Sequence, residues 1–63
     1  MNVQNGELLK VKEVARILRV GQAAVYELCR QKGFPNIKIG NSIRIPKWGL
    51  DDWMRVQASR NVL

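Results

Sequence analysis

The residues able to do chemistry in this chain are hydrogen-bond donors and cations. Gln22, Tyr26, Arg30 and Gln31 recur at helical spacing with Ala23 among them, and Lys38, Asn41 and Arg44 follow in a short basic stretch. A glutamine amide or an arginine fork can pair with base edges, and tyrosine and lysine can meet phosphate oxygens. Ala23 is small enough for close approach or for contact with a thymine methyl. Covalent chemistry is harder to assemble. The 63 residues include no histidine, so there is no Ser-His or Cys-His pair and no zinc site of the ordinary ligand set. Cys29 has no second cysteine to join, and five scattered carboxylates form no evident acid/base dyad. The expectation is a chain without catalytic residues, cofactor or metal.

Eleven Lys and Arg against five Asp and Glu leave a net charge of +6. That density favours an anionic partner, with nucleic acid first and an acidic protein or membrane surface after it. Small domains also carry charge for solubility, so the placement of the cations has to decide. No apolar run approaches the ~20 residues needed to span a membrane. The start, MNVQNGELLK, lacks the basic-then-apolar layout of a signal peptide. A cytoplasmic, nucleoid-associated protein is expected.

Those residues need elements to hold them. The segment VKEVARIL puts Val11, Val14, Ala15 and Leu18 on one stripe, the pattern of a short helix, with Ile17 widening it. Arg19-Val20-Gly21 break the pattern, which restarts in QAAVYELCRQK with Val25, Leu28 and Cys29 on one face. Gly33 and Pro35 then stop it. Two helices separated by about three residues suggest a helix-turn-helix corner, with Val14, Leu18, Val20, Val25 and Leu28 as buried positions and small Ala15 at the crossing. The outward face of the second helix then carries Gln22, Ala23, Tyr26, Arg30 and Gln31, and Glu27 is expected to pair with Arg30 three residues on.

Ile37-Lys38-Ile39 and Ile43-Arg44-Ile45 alternate on either side of Gly40-Asn41-Ser42, which reads as a hairpin. A three-residue loop would set Ile39 against Ile43, Ile37 against Ile45 and Lys38 against Arg44, keeping like faces together. Two cations opposed in this way destabilise a sheet unless something anionic lies against them. Asn41 would stand at the tip. After Pro46, Leu50, Trp53, Met54 and Gln57 repeat at helical spacing, and Trp48 lies off that stripe. The expected fold is a small α+β domain of order α-α-β-β-α over residues 7–57, with a flexible lead at 1–6 and a frayed tail at 58–63.

The phrases VKEVARIL, Val25-Tyr26, IKIG, SIRIP and the Leu50–Trp53 helix, in that order, resemble the excisionase-type DNA-binding domains. These are winged helix-turn-helix proteins related to the mercury-resistance regulators, and the resemblance spans residues 8–54. It implies a second helix in the major groove of double-stranded DNA and a hairpin wing on the neighbouring minor groove or backbone. It also implies small copies that bind side by side at an attachment site, bend it and assist an integrase or other recombination protein. With no obvious dimer seam in the sequence, a monomer in solution is expected. A transcriptional regulator with the same fold, or a basic protein-interaction module, is the alternative. Lys10 and Gly21 stand where the family commonly has Thr or Ser, so both helix caps are expected to be weak.

Overall fold

The computed structural model describes residues 7–60, so the 1–6 lead and residues 61–63 of the tail lie outside the described residues. The elements run β1 (Leu8–Lys10), α1 (Val11–Leu18), α2 (Gln22–Cys29), β2 (Ile37–Ile39), β3 (Ser42–Pro46) and α3 (Lys47–Arg60). The helices and the hairpin follow the expected α-α-β-β-α order, preceded by one short strand. That strand pairs with β3, making a three-stranded antiparallel sheet of order β1-β3-β2. The molecule is a small α+β winged helix-turn-helix.

The N-terminus of α1 has no side-chain acceptor at its cap, because a lysine ammonium only donates. Glu13 compensates in part: its Oε1 accepts the backbone N–H of Lys10 at 2.7 Å. The other end of α1 is closed by backbone geometry. Arg19 takes φ +60°, its N–H reaches the Arg16 carbonyl at 3.3 Å, and the Val20 N–H reaches the Ala15 carbonyl at 3.0 Å. Those two bonds form a Schellman closure, with arginine holding the left-handed position that glycine usually takes. The turn aims α2 across α1 but sends Val20 outward, 43% exposed, where the stripe placed it inside. Ile17 is likewise exposed rather than part of the core. An eight-residue helix covered on one side can bury only a narrow stripe, here Val11, Val14 and Ala15.

The second helix ends earlier than its sequence pattern, at Cys29 rather than Lys32. The N–H groups of Arg30 and Gln31 turn back to the carbonyls of Glu27 and Leu28 at 3.1 and 3.0 Å, a tightening of the last turn. Asn36 then fastens the loop, its Nδ2 donating to the Phe34 carbonyl at 2.8 Å and the Cys29 carbonyl at 3.4 Å. Phe34 is buried and meets Trp53 of α3 edge to face, with ring centroids 4.9 Å apart.

The hairpin register corrects the expected one. Ile37 pairs with Arg44, Lys38 with Ile43 and Ile39 with Ser42, so the loop has two residues, Gly40 and Asn41. Gly40 adopts φ +60° at the first central position, the place where a type II′ turn wants glycine. The assumption that β2 must match its isoleucines to those of β3 fails because β3 is the central strand. On the core side Ile45 takes its partner from β1, where Leu9 lies opposite, and both are buried. Lys38 and Arg44 therefore stand on opposite faces of the hairpin.

The helix after the hairpin begins directly behind Pro46 and continues to Arg60, so residues 58–60 of the expected tail are helical. Gly49 is required where α3 passes the loop: a Cβ there would sit 2.8 Å from the Pro35 Cβ. Leu50 is fully buried and closes the core formed by Leu9, Val11, Val14, Ala15, Val25, Phe34 and Ile45. The Lys47 N–H donates to the Glu7 carbonyl at 3.0 Å, tying α3 to the start of β1.

Candidate nucleic-acid interface

An eight-residue helix is about 12 Å long at 1.5 Å per residue, close to the width of a major groove. The exposed face of α2 carries Gln22, Ala23, Tyr26 and Glu27, and Tyr26, 48% exposed, stands at its middle. Two depressions flank that tyrosine, and each joins α2 to the wing. The first, of about 280 Å³, brings Gln22 and Tyr26 together with Asn41 and Arg44, and adds Lys10 and Lys12. The second, of about 360 Å³, brings Tyr26 and Arg30 together with Lys38. The isoleucine at position 43 lines both, so the wing meets α2 on either side of Tyr26. Six of the eight residues singled out on chemical grounds thus line these two depressions; Ala23 is exposed on α2 but lines neither. Gln31 lines neither of them either. It faces a groove beside α3, with Gly33 and Trp48.

The electrostatics of the first depression are one-sided. Its described lining holds three cations, Lys10, Lys12 and Arg44, and no carboxylate. Lys10 and Arg44 are direct cross-strand partners in the β1–β3 register, on the sheet face away from Leu9 and Ile45. The opposed like charges expected between Lys38 and Arg44 are thus present, one strand over. Such a pair destabilises a sheet by up to ~1 kcal/mol relative to a neutral one. The Arg44 guanidinium, half-buried, is held in place by a bond from Nη1 to the Ile43 carbonyl at 3.0 Å. Lys10 and Lys12 escape a search for helical faces because one lies in a three-residue strand and the other on the solvent side of a short helix. Only the register of β1 brings them to the wing.

The rest of the face behaves as its chemistry dictates. Glu27 Oε2 accepts from Arg30 Nη1 at 3.1 Å, as the spacing suggested, and both side chains are mostly exposed. The pair contributes little to stability in high dielectric but neutralises the one acid on the outward side of α2. Cys29 is half-buried, and burial raises its thiol above the ordinary value, which favours the inert protonated form. Its exposed neighbours in the second depression are donors: Tyr26, Arg30, Asn36 and Lys38.

Comparison with known proteins agrees with this geometry. Residues 8–57 match the family described as helix-turn-helix domain, from β1 through most of α3. An excisionase of Streptomyces ambofaciens is 37% identical over 57 residues, covering 90% of this chain and 92% of that protein. No solved structure gives a significant match. With the corner, the wing and a match along nearly its whole length, the chain belongs to the excisionase-type helix-turn-helix family.

Proposed function

We propose that this protein binds double-stranded DNA as an excisionase-like recombination directionality factor. The α2 helix enters the major groove, and Gln22 and Arg30 read base edges or the adjoining phosphates. Tyr26 donates to a phosphate from the middle of the face. The wing follows the flanking backbone, with Asn41 at its tip and Lys38 and Arg44 on its two sides. Lys10 and Lys12 extend the phosphate contact on the side of the first strand. Copies bind next to one another at an attachment site, and an integrase or other recombination protein acts on the DNA so organised.

The observation that carries this reading is the convergence of Gln22, Tyr26, Asn41 and Arg44 with Lys10 and Lys12 around one depression without an acid. The kinship with an excisionase that matches over 90% of this chain favours recombination over a promoter role. Duplex titrations with single and double variants test the assignment. Lys38→Ala should weaken binding to every duplex alike, whereas Gln22→Ala should change the order of preference among sequences. A uniform loss for Gln22→Ala makes that residue a backbone contact, and unchanged affinity in the Lys38→Ala, Arg44→Ala double variant removes the wing's cations from the mechanism.

A further inference from the structure

A third concave region shares no residue with the two depressions around Tyr26. It is a groove of about 500 Å³ between the turn after α2 and the outer side of α3. Its floor is the i, i+4 row Trp48, Asp52, Val56 and Arg60, with Trp53 and Pro35 along one edge. Trp48 is 59% exposed and Val56 45% exposed, the former being the most exposed large apolar side chain among the described residues. Neither contributes to the core, which α3 supplies through Gly49, Leu50, Trp53 and Met54. A tryptophan held out of the core in an open groove of mixed polar and apolar lining is the residue type that anchors protein interfaces.

The charges around the groove indicate what fits it. Lys32 stands on the wall and Arg60 at the end, both exposed. Asp52, the single carboxylate of the described lining, is faced by Arg55 at 3.9 Å. An occupant of aromatic or aliphatic side chains between acidic ones would match this pattern. A second copy of the chain matches it poorly, since it brings a further +6.

We propose that this groove docks an acidic, apolar segment of a partner protein, while α2 and the wing stay free for DNA. Docking stands on the groove alone; its compatibility with bound DNA rests on the function proposed above. Both tryptophans of the chain line the groove, so their emission reports on it directly.

The test uses the full chain and a fluorescein-labelled eight-residue peptide alternating Asp or Glu with Leu or Phe. One control replaces the acids with Lys, and another replaces the apolar residues with Ser. Saturable binding with a shift of tryptophan emission is expected for the first peptide only. Affinity should fall about tenfold or more in Trp48→Ala, the loss typical of an interface anchor. The double reversal Lys32→Glu with Arg60→Glu should weaken binding as well, and duplex DNA should not displace the peptide. Because Trp48 is exposed, Trp48→Ala keeps its core and its duplex affinity. The proposal is overturned by unshifted emission at millimolar peptide, by equal binding of the lysine control, or by displacement with duplex. A Trp48→Ala variant altered only in its cooperativity on DNA would assign the groove to a second copy and overturn it too. Peptide binding by a chain that ignores duplex would uphold the docking site and defeat the DNA reading.

Discussion

Replacing Lys10 by Ala separates a functional cation from a structural one, because stability and affinity should move in opposite directions. Lys10 lies opposite Arg44 in the β1–β3 ladder, its side chain is exposed, and Glu13 bonds its backbone N–H. Alanine keeps that N–H. It is no worse as a helix cap than lysine, whose side chain has no acceptor either. Removing one member of an opposed like-charge pair should raise stability by ~0.2–1 kcal/mol. In a domain of this size that is an increase in Tm of about 1–8 °C. Binding should weaken. One lost phosphate contact flattens the log–log salt slope by about 0.9, equivalent to roughly an eightfold loss of affinity at 0.1 M salt. Thermal melts followed by circular dichroism and anisotropy titrations at three salt concentrations measure both. An unchanged slope and affinity would refute phosphate contact at Lys10. A falling Tm together with a falling affinity would show that the lysine supports the fold, contrary to the register argument.

Other perturbations probe the remaining elements. Glu27→Gln removes the acid from the face of α2 and frees Arg30, so duplex affinity should rise for all sequences while Tm changes little, since the exposed pair is worth under ~1 kcal/mol; a weaker complex would instead make Glu27 a base-reading residue. Arg19→Gly relieves a left-handed arginine and should stabilise the protein by up to ~1 kcal/mol, read as a raised denaturation midpoint; a lowered midpoint would mean that the arginine side chain contributes more than its backbone costs. Gly49→Ala sets a Cβ 2.8 Å from Pro35. The overpacking cost of ~1–3 kcal/mol should exceed the ~1 kcal/mol gained in helix propensity, so Tm falls, and a rise would show that the loop yields.

Much of the fold is legible in the sequence because its signals are local. The stripe of Val11, Val14 and Ala15 and the interruption at Arg19-Val20-Gly21 define the helix-turn-helix. The alternation around Gly40-Asn41 marks the wing. The errors lie where the deciding contact is distant. The hairpin register could not be argued from β2 and β3 alone, since Leu9 of β1, 36 positions before Ile45, is what buries the core side of β3. Leu8–Lys10 is too short and too irregular in polarity to announce a strand. Val20 and Ile17 are apolar yet exposed, because the Schellman closure at Arg19 turns the chain outward before a wider stripe can be covered. The interface shows the same division. Gln22, Tyr26, Arg30 and the wing residues are evident from residue type and spacing, whereas Lys10 and Lys12 join them only through the sheet.

The central proposal, that α2, the wing and the first strand hold duplex DNA by its phosphates, is tested most directly by the salt dependence of duplex binding. Lys10, Lys12, Lys38 and Arg44, with or without Tyr26, offer four or five contacts, which corresponds to a slope of about −4 in log K against log salt. Binding with that slope, reduced by about one unit in Lys10→Ala, is the expected result. A slope shallower than about −1, or no complex at low salt, would contradict it.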